Sequence, residues 1–447
     1  MPIIFISSFH PLISRNILGT SVIDRVLAAR PECTVVILCP ERKRAFFERE
    51  YASERVLVLG ISMRLLRRDL ILRTLALSAL RTRALLIKRT AELRGRGAWL
   101  SCVLSNRAGH FLVRLLSRVF TPRSPFDALL GEFRPALVFS TDVENEYDVR
   151  LMHEAKRQGI PIVGMVRSWD NLTAKGLLRV VPDRLVVHND IIAREATALH
   201  GVARGLVSVV GIPHYDGYAP YRDPGSVRAA RAVFLRELGF DPRTEVVLFA
   251  PVGDRYVDAK YAIDQSIVAL LDSCLPERAL LFVRLPIADQ VAGVRPGRFG
   301  RVVIERGGSP LGHVKNTELS RADEKRLALT LAASDVVVTG PSTMCVDAAF
   351  FDKPTILIGF DGKDAPSIPY RESVQRLYDY EHFLPVRASG GVVFATSERE
   401  LCSAVRTALS EPERGKLGRK RLALEQAGEP RGRASERLAD VLLEFLT

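Results

Sequence analysis

Several chemistries are missing from this 447-residue sequence at the level of residue spacing. No Gly-rich dinucleotide fingerprint follows an apolar run, no Ser–His–Asp order appears, and no Cys/His pairs stand at zinc-ligand spacing. Hydride transfer, serine hydrolysis and zinc chemistry are therefore disfavoured. The six cysteines, Cys33, Cys39, Cys102, Cys274, Cys345 and Cys402, are scattered, several of them inside apolar patterns. They read as buried free thiols in a reducing compartment. Residues 1–7 carry neither a basic n-region nor a small-residue cleavage site, so no secretory signal is expected. No uninterrupted apolar run reaches the length of about 18 residues that a membrane span needs. Together these absences make the cytoplasm the expected location. Internal repeats and low-complexity segments are absent as well.

What is present is a globular composition with a basic excess. An apolar fraction of 47% can bury a sizeable core, and the length suffices for two domains of about 200 residues each. The formal net charge of +13, carried mostly by arginine, is matched by phosphate, anionic lipid or nucleic acid. Apolar β-branched runs at 2–8, 34–38 and 55–59 alternate with helical patterns at 14–30 and 42–51, which predicts parallel sheets with helices on both faces. Residues 62–123 interrupt that rhythm with helical sequence rich in Leu and Arg and almost free of acids. Such a stretch either lies on an anionic membrane surface or forms the solvated face of a helical hairpin, and both readings stay open. Its few aromatics make a poor stacking platform for single strands, so no nucleic-acid partner is expected. Strands resume at 135–140 and 160–166. The segment 220–243, with Pro220, Asp223-Pro224-Gly225 and Asp241-Pro242, is the expected boundary. It gives a first domain at 1–223, a second at 224–410 and a helical tail at 411–447.

The densest signal lies at 334–361, SDVVVTGPSTMCVDAAFFDKPTILIGFD. Residues 336–338 read as a strand buried on both faces, Gly340-Pro341 breaks it, and Ser342-Thr343 offers a helix N-cap. Two helical turns then end at Lys353-Pro354. A helix N-terminus at the carboxyl end of a parallel strand is a natural phosphate site, although a βαβ unit without a ligand has the same pattern. Other polar loops follow strands at 7–10, 141–146 and 167–175 in the first half, and at 251–255 and 284–289 in the second. In two doubly wound halves these loops would line one cleft.

In their order, the second-half motifs resemble the donor-binding half of GT-B nucleotide-sugar glycosyltransferases. The nearest branch is the bacterial one that holds CDP-glycerol glycerophosphotransferases and capsule or surface polysaccharide transferases. Asp183-Arg184-Leu185-Val186-Val187, followed by Gly211-Ile212-Pro213-His214-Tyr215-Asp216, resembles the strand pair closing the first domain. Val247-Leu248-Phe249-Ala250-Pro251 resembles the first donor-domain strand, and Leu281-Phe282-Val283-Arg284-Leu285-Pro286 the strand ending in Arg-x-His-Pro. The turn at 340–343, with Asp347 and Lys353-Pro354 beyond it, resembles the family's Gly-x-x-Thr turn. The resemblance spans about 160–409, while residues 1–130 agree only in strand–helix order. Two departures stand out: the His is absent after Arg284, which implies a donor other than that of the glycerophosphotransferases, and Asp347 stands where Glu is frequent.

The resemblance implies a GT-B fold, two Rossmann-like domains facing across a cleft. It implies a metal-independent transfer of a sugar from a nucleotide-activated donor to an acceptor hydroxyl in bacterial surface polysaccharide synthesis, such as capsule or O-antigen. The acceptor is then a glycan or glycolipid, and the inner face of the cytoplasmic membrane a fitting location. A polyol-phosphate (glycerophosphate) transferase and a UDP-sugar 2-epimerase-like enzyme are the alternatives on the same fold. No cofactor is expected beyond the donor itself. Gly253, Arg255, Arg284, Gly340, Ser342 and Thr343 are the candidates for its phosphates, and Asp347 for a ribose hydroxyl. The base for the acceptor is expected from the first domain. Asp170 is the first candidate, because Trp169 beside it can stack on a sugar while Asn171 and Lys175 bind hydroxyls or charge. Asp142 and Glu144 come second, and His10 is the fourth candidate. Each also has a structural reading: Asp170-Asn171 as a turn, Asp347 as an ion-pair partner, His10 as a loop histidine.

Overall fold

Apolar runs without alternation become parallel strands covered on both faces, and the first seven form a single sheet. They are β1 (Ile3–Ser7), β2 (Thr34–Pro40), β3 (Val56–Ile61), β4 (Leu137–Ser140), β5 (Ile162–Met165), β6 (Arg184–Val187) and β7 (Val207–Val209), in the order β3-β2-β1-β4-β5-β6-β7. All are parallel; Ile4 pairs with Val35 on one side and Leu137 on the other. The order reverses between β1 and β4, and the loops that leave those two strands diverge there. Phe5, Val36, Val138, Ile162 and Leu185 form the core of this sheet and its helices. The computed structural model describes residues 1–92, 98–362, 368–428 and 432–446.

Between β3 and β4 the Arg-rich stretch folds as helices Arg67–Ser78, Arg83–Glu92, Ala98–Leu104 and Arg107–Phe120. They enclose a small separate core containing Ala79, Leu80, Leu85, Leu104 and Val113. Two arginines hold it together by saturating backbone carbonyls. Arg89 donates to Leu80 O (3.1 Å) and to Ser101 Oγ (2.5 Å), and Arg114 to Leu178 O (3.0 Å) and His200 O (2.5 Å). Arg94 and Arg96 of the basic stretch lie outside the described residues.

The second sheet contains β8 (Val246–Ala250), β9 (Leu280–Leu285), β10 (Gly297–Phe299), β11 (Val302–Arg306), β14 (Val336–Thr339), β15 (Thr355–Ile358) and β16 (Val393–Ala395), ordered β10-β11-β9-β8-β14-β15-β16. Only β10 runs antiparallel. A separate hairpin, β12 (Ser309–Leu311) with β13 (His313–Glu318), precedes the helix Arg321–Ala333. The reversal of order here falls between β8 and β14.

The chain divides into two units by packing: Met1–Asp216 with Gly432–Thr447, and Gly217–Arg431. The boundary thus falls seven residues before the expected 223, and the segment 411–447 is shared between units. Helix Lys416–Ala427 packs in the second unit on helix Met344–Phe350, whereas helix Ala434–Leu443 returns to the first. Asp216 fixes that return by accepting from the backbone N–H groups of Ala434 (3.0 Å) and Ser435 (2.7 Å). The reading of six free thiols needs correction. Cys274 and Cys402 form a disulfide between helices Ile263–Cys274 and Glu398–Ser410, with Cα atoms 5.8 Å apart. Two cysteines 128 residues apart in sequence meet only through the fold, so spacing could not reveal them. The pairing also removes the support that unpaired thiols gave to a reducing compartment. Among the described residues, no helix is long and apolar enough to cross a membrane.

Candidate functional site

In the first unit the polar loops leave β1, β4 and β5 at the carboxyl edge of the sheet. Ser7, the last residue of β1, ties this edge together: its Oγ donates to Asp148 and accepts from the backbone N–H of Thr141 (2.9 Å). Ser140 Oγ also donates to Asp148 Oδ1 (3.1 Å), while Oδ2 has no hydrogen-bond partner. Burial, with Asp142 nearby, pushes the Asp148 carboxyl up to about 8, so it holds a proton at neutral pH. Asp148 was not singled out in the sequence. In the first turn of helix Glu146–Arg157 it looks like an acid that complements the helix dipole.

Asp142, at the end of β4, is buried and ion-paired with Arg167 Nε at 2.8 Å. Burial works to raise its pKa, but Arg167, Lys175 and His10 outweigh that and hold the carboxyl below its usual range. His10 is driven the other way, down to about 3, by burial and by Arg167, with Asp142 opposing. Its imidazole is therefore neutral, and Nδ1 accepts from the N–H of Leu12 (3.2 Å), which leaves the proton on Nε2. Asp170 precedes the short helix Asn171–Ala174, with Oδ2 4.0 Å from Lys175 Nζ. Lys175 also donates to Asn171 Oδ1 (2.9 Å), and Trp169 packs partly buried against the core of the unit.

Glu144 differs from its neighbours. Both carboxylate oxygens are shut off from water and neither has a hydrogen-bond partner. Burial raises its pKa well above the usual glutamate value; Lys175 opposes this, while Asp142 and Asp170 add to it. The residue lines a small cavity open to solvent, with Lys175, Arg73 and Arg179 on its walls. Arg179 is held by a two-pronged ion pair to Glu146 (2.7 and 2.9 Å), and Arg73 lies 4.0 Å from the same carboxylate. The helix Arg67–Ser78 reaches this wall because Gly176, at φ +98, lets the chain pass its backbone; a Cβ there would stand 2.8 Å from Leu77 N. The pair Glu146–Arg179 and the placement of Arg73 left no sequence signal, because each depends on residues far apart in the chain.

In the second unit the candidates gather at the carboxyl ends of β9, β8 and β14, which are neighbours in the sheet. Arg284 near the end of β9 is buried, and its Nη1 has no hydrogen-bond partner. Burial lowers its pKa against the pull of Glu305, Tyr218, Asp323 and Glu324. Gly307 makes room for this guanidinium: a Cβ there would lie 2.5 Å from Nη2. After β8, the N–H of Gly253 donates to Asp264 (2.9 Å), as does that of Val252 (3.2 Å). That amide is thereby engaged within the protein, and burial pushes Asp264 up to about 6. Arg255 is exposed, its N–H bound to Asp289 (2.9 Å). Beyond β14, Gly340 passes beneath the β8 loop, where a Cβ would stand 2.0 Å from Val252 Cγ2. Ser342 Oγ accepts from the N–H of Met344 (3.2 Å), Thr343 is exposed, and Asp347 is buried. Among the described residues, no group of three or more His, Cys, Asp or Glu is placed to hold a metal ion.

No family model matches this sequence, and no curated protein does. Solved structures match along its whole length. UDP-GlcNAc 2-epimerase from Neisseria meningitidis, bound to UDP-GlcNAc, superposes with a TM-score of 0.55 at 11% identity, covering 99% of this chain and 100% of that one. The epimerase from Methanocaldococcus jannaschii gives 0.53 at 12%, covering 99% and 100%. The wall teichoic acid polymerase TagF gives 0.56 at 10%, covering 99% and 88%. At such identities the likeness is one of architecture. Two doubly wound α/β units, each with a sheet reversal that gathers polar loops, and the match to these enzymes identify the fold as GT-B.

Proposed function

We propose that this protein is a glycosyltransferase that moves a sugar from a nucleotide-activated donor to an acceptor hydroxyl in surface polysaccharide synthesis. The observation that carries the reading is Glu144: a buried carboxyl without a hydrogen-bond partner, lining a cavity beside Lys175. An acid with a raised pKa becomes a strong base once ionised, and Lys175 favours that ionised form. The acceptor oxygen attacks the anomeric carbon, its proton passes to the Glu144 carboxylate, and the sugar–phosphate bond breaks. The bonding electron pair leaves with the nucleoside diphosphate. In the second unit Arg284 is the buried cation fitted to that leaving charge, with Ser342, Thr343 and Arg255 at the same sheet edge. A neutral His10, donating from Nε2, serves as a hydrogen-bond donor rather than a base. The bound UDP-GlcNAc of the Neisseria epimerase supports a nucleotide-sugar donor for this chain. Leu285 favours a sugar over a glycerophosphate: at the position where the resemblance expects His, it is buried in the sheet core.

A thermal-shift panel of CMP, CDP, UDP, GDP and their sugars tests the donor reading, and stabilisation by none of them refutes it. Glu144→Gln should then lower turnover by about 10² or more while nucleotide binding persists. Incubation with the preferred nucleotide sugar alone separates the epimerase: an epimerised sugar without an acceptor would replace the transferase reading.

A further inference from the structure

Helix Arg107–Phe120 is built the wrong way round for a helix facing water. Its buried side is made of small residues: Gly109, Val113 and Ser117 face inward, while His110 and Arg114 hydrogen-bond to Ala79 O (2.8 Å) and Leu178 O (3.0 Å). Its opposite side is apolar. Phe111 (69% exposed), Leu115 and Val119 (61%) fall on one stripe at spacings of four, with Leu112 beside it. The neighbouring helix Ala98–Leu104 adds Trp99 (68%) and Val103, again four apart and both exposed. Single exposed apolar residues are ordinary, but a run of them on adjoining helices marks an interaction surface.

Charge selects the partner. Residues 64–123 contain fourteen Arg and Lys side chains and two carboxylates, Asp69 and Glu92. Asp69 is buried in an ion pair with Arg150. Arg107 and Arg118 are exposed on the helix that bears the apolar stripe. We infer that this face docks on an anionic lipid bilayer, the arginines meeting the headgroups while Trp99, Phe111 and Leu115 enter the interface. A second copy of the chain would have to bring the same positive charge against itself, which opposes that pairing.

The face also adjoins the proposed chemistry. Helix Arg67–Ser78, which exposes Leu70 and Ile71, lines the Glu144 cavity with Arg73 and Ala76, so a lipid-borne acceptor would reach the cavity along it. That clause rests on the transferase reading; vesicle binding does not, so the two fail separately.

The test is sedimentation with vesicles of phosphatidylcholine alone or with about one-third phosphatidylglycerol, paired with fluorescence of a Trp169→Phe protein, in which Trp99 is the sole tryptophan. Binding at least about tenfold tighter to the anionic vesicles is expected, with a blue shift of Trp99 and quenching by brominated lipid. The double variant F111S/L115S should lose about tenfold or more of that binding, with unchanged melting temperature and nucleotide-induced shift. No vesicle binding, equal binding by the double variant, or a Trp99 spectrum unmoved by lipid would each overturn the inference. So would a lipid-free dimer of the wild type that F111S/L115S dissociates.

Discussion

Asp148→Asn should make the protein more stable as the pH rises. In the folded chain the carboxyl is fully buried with a pKa of about 8, Oδ1 accepting from Ser7 and Ser140 and Oδ2 without a partner. In the unfolded chain it titrates near about 3.9. Between those values the folded state holds a proton that the unfolded state has released. Stability from this group is therefore full below about pH 4 and is lost as the pH climbs to 8. The loss is about 1.4 kcal/mol per pH unit, roughly 4 kcal/mol by pH 7, a large share of the 5–15 kcal/mol that holds a typical domain. Asparagine keeps an acceptor for the two serines and cannot ionise. The difference in unfolding free energy between variant and wild type should thus widen by about 1.4 kcal/mol per unit from pH 5 to 8, then level off. Both tryptophans, Trp99 and Trp169, belong to the first unit, so denaturant titrations followed by tryptophan fluorescence report that unit. A difference that stays constant from pH 5 to 8 would show that Asp148 is ionised in the native protein, and the account of this sheet edge would fail.

Three further outcomes are expected. Arg284→Ala removes the buried guanidinium offered to the leaving phosphate and should weaken nucleotide binding about 10–100-fold by calorimetry, with an unchanged Kd refuting that role. Thiol titration of the denatured, unreduced protein should count four thiols, those outside the Cys274–Cys402 pair; six would refute the disulfide. Gly340→Ala should cost about 1–3 kcal/mol by overpacking against Val252, and Val252→Ala should restore much of it. Failure of that rescue would place the strain elsewhere.

The sheets were legible because burial on both faces leaves a mark in local sequence: runs such as Val35 to Leu38 and Val336 to Val338 admit no alternation. The hairpin β12–β13 was not legible, since Ser309–Leu311 and His313–Glu318 are short and polar and pair only with each other. Composition revealed the basic insertion but not the division of labour within it. Arg89 and Arg114 saturate carbonyls inside, whereas Arg107 and Arg118 stay outside, and only the fold distinguishes them. The same holds for the carboxylates. Asp142, Glu144 and Asp170 were visible as polar residues after strands, yet the pKa shifts of Asp142 and Glu144 follow from partners brought in from other loops.

Those shifts decide which group can act. Asp142, Glu144 and Asp148 crowd the carboxyl end of β4, and each ionised neighbour raises the cost of ionising the next. Arg167 settles the matter by its ion pair at 2.8 Å, which gives the charge to Asp142 and leaves that carboxylate too weak a base for an alcohol proton. Asp148 holds its proton, but its Oδ1 is committed to Ser7 and Ser140. Asp170 is partly exposed, its Oδ2 4.0 Å from Lys175 Nζ. Of these four, Glu144 combines a raised pKa with a carboxyl free of hydrogen bonds, on a residue that lines the cavity. Lys175 opposes the burial that raises its pKa, and a bound hydroxyl donating to the carboxylate would pull the same way as Lys175. We therefore propose Glu144 rather than Asp170 as the base, on grounds of desolvation that the loop sequence does not carry.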